Sequence, residues 1–322
     1  MFWIPWSHFM SLDDALKLTV DNDKLDRFTK LFLDSGFTQV ELGHLATREN
    51  GHWSAKHLVT QLGKKRVTSP EGRSILKQQL AAIRHFTKRH KFKGNIYQHI
   101  SDEPLSVHAQ DYVAVAKLVH ELFPEAPVFD ATHCTTELVG SVDIWCPQLD
   151  IYYKHRDFFQ QRIKAGEQVW IYTCLSPGGA ALNRLLDQER TRQVLLKWLI
   201  VHDNLSGYLH WGLNHYQKQT DPFRVTSPRF DDKTGPSRNF LPPGDSHVIY
   251  PSKINHAPLS SVRLSAHRLG LEDAAMLLEL KKRSPKQTQT IFNELIIAPK
   301  QHQLDLSKYR EARTKLMLDL TL

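Results

Sequence analysis

Residues 95–108 read NIYQHISDEPLSVH. Ile96, Tyr97 and Ile100 have the apolar and aromatic character of a buried strand, Pro104 ends it, and a helical pattern follows at 108–123. Successive side chains of a strand point to opposite faces. The adjacent carboxylates of Asp102 and Glu103 can therefore turn toward one cavity only where the strand breaks into a loop. A strand that runs into polar residues and then a helix is a βα unit, and the pattern recurs along the chain. Strands are predicted at FWIP (2–5), TQVELG (38–43), NIYQHIS (95–101), PVFDAT (127–132), VDIWCP (142–147), QVWIYTC (168–174) and GYLHWGLN (207–214). Helical patterns lie between them at 22–35, 72–90, 108–123, 153–166 and 188–203. This alternation specifies a parallel sheet.

The fold expected is an α/β protein of the TIM-type (β/α)8 barrel class, which spans chains of this length as one unit. Seven strands are counted where a closed barrel has eight. Either SHVIYP (246–251) supplies the eighth or the first strand is missing. The helix at 22–35 is expected to bury Leu25, Phe28, Leu31 and Phe32, with Gly36 as its stop. From 215 to 261 the pattern gives way to a loop rich in Pro, Gly, Asp and Ser, long enough to line a site. A helix resumes at 262–283 with Leu269, Leu271, Met276, Leu277 and Leu280 as its core face. The barrel is thus assigned to 1–283, and 284–322 to a charged extension with a helix near 307–318.

The 322 residues are 41% hydrophobic and 24% charged, as in globular proteins. No run reaches the roughly 20 apolar residues of a membrane span. The three cysteines, Cys134, Cys146 and Cys174, form no C-x-x-C pair and are expected to pack as small apolar residues. MFWIPWSHF lacks the basic start and apolar core of a signal peptide, which leaves the compartment open. The net charge of +8 resides partly in GKKR (63–66), KRHKFK (88–93) and KKR (281–283). Two of these runs end helices, where cations suit the dipole, and no nucleic-acid motif accompanies them. Nucleic acid is not expected as a partner, and the oligomeric state is open.

In parallel βα barrels the chemistry collects at the C-terminal ends of strands. Here those ends carry Glu41 and His44, then Asp102 and Glu103, then Asp130 and His133, then Tyr172, Trp211 and Asn214. Aromatic rings mixed with polar groups on one rim describe a sugar site. Catalysis is assigned to Asp102 and Glu103, and substrate binding to His44, Asp130, Tyr172, Trp211 and Asn214. The plainer reading makes Tyr172 and Trp211 core aromatics and the histidines structural. No H-E-x-x-H spacing supports a metal, so neither metal nor cofactor is expected. Close acids titrate apart, one keeping its proton while the other stays an anion, as glycoside hydrolysis requires. Ordinary glycosidases hold their carboxyls about 5 Å or about 6.5–9.5 Å apart across the sugar. Consecutive residues suit instead the substrate-assisted route, in which the sugar's 2-acetamido oxygen attacks the anomeric carbon.

YQHISDEP (97–104), WIYTCLSPGG (170–179), GYLHWGLNHY (207–216) with DPF after it, PPGDSHVIYP (242–251) and SVRLSAHRLGLEDAAMLLEL (261–280) occur in that order. Together, over about residues 21–283, they resemble the catalytic domain of glycoside hydrolase family 123 and the wider uncharacterised domain family around it. The resemblance implies an exo-β-N-acetylgalactosaminidase that retains configuration through an oxazolinium intermediate. Asp102 then matches the acetamido-stabilising aspartate and Glu103 the acid/base, while Tyr172, Trp211 and Asn214 match the sugar-site strand ends more loosely. A glycan or glycolipid would be the substrate. Members of the family usually carry a β-sandwich and a first barrel strand ahead of the matched region, which makes FWIP the second strand. A glycosidase of another sugar, using Glu41 or Asp130 as its second carboxylate, and an inactive carbohydrate-binding barrel are the alternatives.

Overall fold

The computed structural model describes residues 1–92, 96–133, 136–216, 221–224, 241–255, 257–298 and 300–321. The chain divides into two compact units, residues 1–146 and 147–322. Its architecture is mixed α/β with parallel sheets. Cys134 and much of the 215–261 loop lie outside the described residues.

In the first unit β1 (Phe2–Ile4), β2 (Val40–Leu42) and β3 (Ile96–Gln98) form a parallel sheet in that order, with Ile4 opposite Leu42 and Leu42 opposite Gln98. A parallel bridge between Gln98 and Val128 leads into β4 (Phe129–Thr132), and β5 (Ile144–Pro147) neighbours β4. Ile4, Val40 and Leu42 are fully buried, as strands covered by helices must be. Helix α1 (Asn22–Asp34) starts where the Asp21 carboxylate accepts the Lys24 N–H. Helix α2 (Pro70–Arg89) starts at Ser69, which accepts the Gly72 N–H. Each cap satisfies an amide that has no partner inside its helix. Helix α3 (Ala109–Leu122) follows β3. Leu31, expected in the core face of α1, is 68% exposed. The inward stripe runs through Leu25, Phe28 and Phe32, whose ring stacks on Phe2 at 4.5 Å, and at 3.6 residues per turn Leu31 lies about 120° from Leu25.

In the second unit β6 (Gln168–Tyr172) pairs in parallel with β7 (Gly207–Leu209). The helix expected at 153–166 is two, α4 (Leu149–Lys154) and α5 (Arg156–Lys164), broken at His155 by a non-helical backbone. They are followed by α6 (Arg190–His202), α7 (Val262–Arg283), α8 (Pro285–Leu295) and α9 (Leu306–Thr321). SHVIYP is not a parallel strand. His247 bridges Asn214 antiparallel, and Tyr250–Pro251 pairs antiparallel with Pro258–Leu259. The cause is a buried cation, because the Arg263 guanidinium donates to the carbonyls of Gly244 and His247 at 2.7 Å each and holds this segment as a loop.

Helix α7 buries Arg263, Ala266, Gly270, Asp273, Leu277 and Leu280. Leu277 and Leu280 are core as expected, whereas Leu271 is exposed. The centre of this face is polar, since the fully buried Asp273 carboxylate accepts from Trp198 Nε1 at 3.0 Å, Tyr309 Oη at 2.7 Å and Arg313 Nε at 2.7 Å, tying α6 and α9 to α7. Asp273→Ala strands two buried donors and a cation, so it is expected to cost about 3 kcal/mol. Urea unfolding of the variant beside wild type reads that loss as a lower midpoint, and an unchanged midpoint would show that the hub contributes nothing.

Candidate active site

The chain beyond β3, residues 99–101, is anchored on two sides. Toward β2, the His99 N–H donates to Leu42 O at 3.2 Å and the Ala46 N–H donates to Ile100 O at 2.8 Å. Toward β4, the fully buried Asp130 carboxylate takes the Ile100 N–H at 2.9 Å, the Ser101 N–H at 3.4 Å and the Tyr112 hydroxyl at 2.6 Å on Oδ2, with His99 Nδ1 at 2.8 Å from Oδ1. Four partners occupy the acceptor capacity of one carboxylate. Asp130, expected to bind substrate, is in this geometry the residue that fixes the backbone leading into Asp102 and Glu103.

At the acid pair the backbone changes hand. Glu103 has φ +42°, in the left-handed region that side chains other than glycine seldom adopt and that costs about 1–3 kcal/mol. This residue ends the two-residue alternation of the strand, which answers how consecutive carboxylates can leave one strand end. Asp102 is exposed, Glu103 is half-buried and Pro104 is buried. The turn is held by Arg48, which donates from Nη2 to the Glu103 carbonyl at 2.7 Å while its guanidinium lies 4.0 Å over the Trp53 ring. Burial pulls Arg48 below its ordinary pKa, and the charges of Asp102 and Glu103 pull against that.

Beneath the pair lies a buried charge relay. His99 Nε2 is 2.8 Å from Glu41 Oε1, so its ring sits between two carboxylates. Burial opposes its charge, but Glu41 and Asp130 outweigh that and push His99 up to about 10. Burial would raise Glu41 in turn, yet the imidazolium holds it below the ordinary carboxylate range. His44, with its ring 4.8 Å from that of His99 and Nε2 3.9 Å from Asp130, is lowered by burial and by the charge of His99, with Asp130 pulling against them. The donor atoms of His44, His99 and Asp130 lie within 4.8 Å of one another, close enough for a cation. Both ring nitrogens of His99 already face carboxylates, and an imidazolium has no lone pair to give a metal.

In the second unit Trp211 is 46% exposed and its Nε1 donates to Asp245 Oδ2 at 3.1 Å. Asp245 is fully buried, which pushes its carboxyl up to about 6, and His210 Nε2 lies 3.2 Å from its other oxygen. Buried Arg184 donates to the carbonyls of Gly212 and Asp245. Gly212 must be glycine, since a Cβ would stand 2.5 Å from the Ser246 carbonyl oxygen. The result is an indole plate fixed at its nitrogen and open to solvent. Tyr172 is 4% exposed, and Asn214 is exposed with its backbone bridged to His247. Sequence reasoning missed His99, Arg48, Trp53, His210, Arg184 and Asp245. Three of them carried a signal, His99, His210 and Asp245, through their places inside YQHISDEP, GYLHWGLNHY and PPGDSH.

The relay generates a pH prediction. The pKa of His99 is higher folded than the ordinary value of 6.5, so its stabilisation is full below about 6.5 and is lost as pH rises through about 10. Asp130→Asn removes one of its two anions and is expected to cost about 2–3 kcal/mol at neutral pH. It should also move the alkaline loss of stability to lower pH, and denaturant midpoints between pH 6 and 10.5 check both effects.

Comparison with known proteins identifies the family. The profile of the glycoside hydrolase 123 catalytic domain matches residues 10–280. Among solved structures, the chain is similar to a family 123 glycoside hydrolase from Clostridium perfringens, analysed for glycolipid glycan hydrolysis, with 14% identity, a TM-score of 0.71, and coverage of 97% of this chain and 58% of that one. At that identity the likeness shows the fold alone, and the chain spans little more than half of that enzyme's length. A xylanase of family 10 with a bacterial Ig-like domain, from termite gut, aligns at 10% identity and a TM-score of 0.44 over 84% of this chain and 68% of its own, too loosely to argue from. No curated protein matches the sequence. With the profile covering most of its length, and an acid pair set at the end of β3 within that match, the chain belongs to the glycoside hydrolase family 123 catalytic domain family.

Proposed function

We propose that the chain is a retaining exo-β-N-acetylgalactosaminidase that works by substrate assistance, on seven strands of a (β/α)8-type barrel within residues 1–283, with 284–322 as an extension. The observation that carries this reading is the strained, doubly anchored turn at Asp102 and Glu103. Asp102 accepts the N–H of the 2-acetamido group and orients its carbonyl oxygen onto the anomeric carbon. As the C1–O bond to the leaving group breaks, Glu103 delivers its proton to that oxygen, and the new C1–O bond closes an oxazolinium ring whose positive charge Asp102 balances. A water then attacks C1 and gives its proton to Glu103, the acetamide re-forms, and two inversions leave the configuration retained.

The substrate class we propose is a glycan or glycolipid ending in β-linked N-acetylgalactosamine, in keeping with the glycolipid glycan hydrolysis described for the Clostridium perfringens relative. Trp211, fixed by Asp245, is proposed as a plate for the apolar face of a sugar, with His44, Tyr172 and Asn214 as further substrate-binding residues. The alternative of a glycosidase that uses Glu41 or Asp130 as nucleophile is disfavoured, because both carboxylates are engaged by His99.

The test is hydrolysis of para-nitrophenyl β-N-acetylgalactosaminide, with the N-acetylglucosaminide and the plain galactoside beside it. Turnover of the first alone supports the proposal, and turnover of the galactoside would overturn the acetamido-dependent mechanism. Glu103→Gln should lower hydrolysis of a glycan with a poor leaving group by about 10²–10⁴-fold while sparing the aryl substrate in its first step. Asp102→Asn should impair both, and rates equal to wild type would remove Asp102 from its role. Binding of the sugar by folded protein without turnover would favour the inactive carbohydrate-binding alternative.

A further inference from the structure

The second unit holds a cavity of about 620 Å³ between β7, α6 and α7, within the range of small-molecule sites. Its walls are mostly aliphatic, with Ile200 and Leu205 on one side and Leu264, Leu271 and Leu278 of α7 on the other. Its polar lining is mostly basic and aromatic, with Arg184, Lys197, Tyr208, His210 and His267 beside Ser206. Lys197 is 4% exposed, and its ammonium lies 3.6 Å over the Tyr208 ring with no hydrogen-bond acceptor among the described residues. The stem of Lys197 reaches this position across Gly270, where a Cβ would stand 2.9 Å from its Cγ. His267 Nε2 is likewise buried without an acceptor, and its ring stacks beside the same tyrosine. Arg184 repels both groups, and burial with that repulsion lowers Lys197 to about 7. Burial thus disfavours the charged form of this amine, and an anion placed against it would restore that form.

We infer that this cavity binds a monoanionic amphiphile, a single carboxylate on an unbranched hydrocarbon chain, with the head against Lys197 and His267 and the tail along α7. An inorganic anion would leave the aliphatic walls empty, and a neutral hydrocarbon would leave the Lys197 amine without an acceptor. The inference is independent of the proposed glycosidase activity and uses no activity as its readout.

It is tested on the full chain by titration with 11-(dansylamino)undecanoic acid, read as enhanced fluorescence and displaced by dodecanoate. Lys197→Met keeps the bulk of the stem and removes the charge, and it is expected to weaken binding by about tenfold or more. Dodecanol should displace the dye at least about tenfold less well than dodecanoate. Ala275→Trp, which narrows the cavity from α7 and leaves Lys197 in place, should also weaken binding. Circular dichroism checks that each variant is folded. Equal affinity in Lys197→Met, equal competition by dodecanol, or no binding by folded wild type would each overturn the assignment, as would sedimentation showing that a second copy of the chain covers this face.

Discussion

The candidate site depends on one buried carboxylate, that of Asp130. A carboxylate taken out of water costs several kcal/mol even after relaxation, so its presence at 0% exposure has to be answered by what it holds. It holds the amides of Ile100 and Ser101, the Tyr112 hydroxyl and one nitrogen of His99. The imidazolium of His99 is a second charge out of water, and Glu41 is the anion that compensates it on the far side. Such networks add little net stability compared with apolar packing of the same volume. What they supply is position, and the position supplied here is that of the backbone two residues before the acid pair.

The left-handed conformation of Glu103 has the same origin. A strained turn persists only where its surroundings over-determine it, and this one has Arg48 on its carbonyl, the anchored 99–101 segment before it and buried Pro104 after it. Arg48 also lies within electrostatic reach of both carboxylates, so a single guanidinium holds the turn and offsets part of the repulsion between neighbouring acids.

The second unit uses buried polar groups in the same way. Arg184 and Arg263 donate to the backbone carbonyls of Gly212, Gly244, Asp245 and His247, which gives irregular chain the hydrogen bonds that a strand would have received from a sheet. Asp273 joins three helices by the same logic. Lys197 departs from it, as a buried amine over a ring with no hydrogen-bond acceptor among the described residues.

The sequence by itself determined the places of the seven strands and the parallel sheets, because apolar runs between helical patterns leave few alternatives, although the strand expected at 207–214 ends at Leu209. It also determined the family, and it set Asp102 and Glu103 side by side, since adjacent residues need no folding to meet. Periodicity was less decisive for helices, where Leu31 and Leu271 fit the spacing of a core face and lie in solvent, and where α8 (Pro285–Leu295) was read as charged tail. The rest of the candidate site was decided by tertiary structure alone. His99, Arg48 and Asp245 are ordinary polar residues on paper, and Asp130 stands 28 positions from Asp102. Their roles come from hydrogen bonds and ion pairs between groups distant in the chain, and which buried donor meets which acceptor is settled only when helices and strands pack and exclude water.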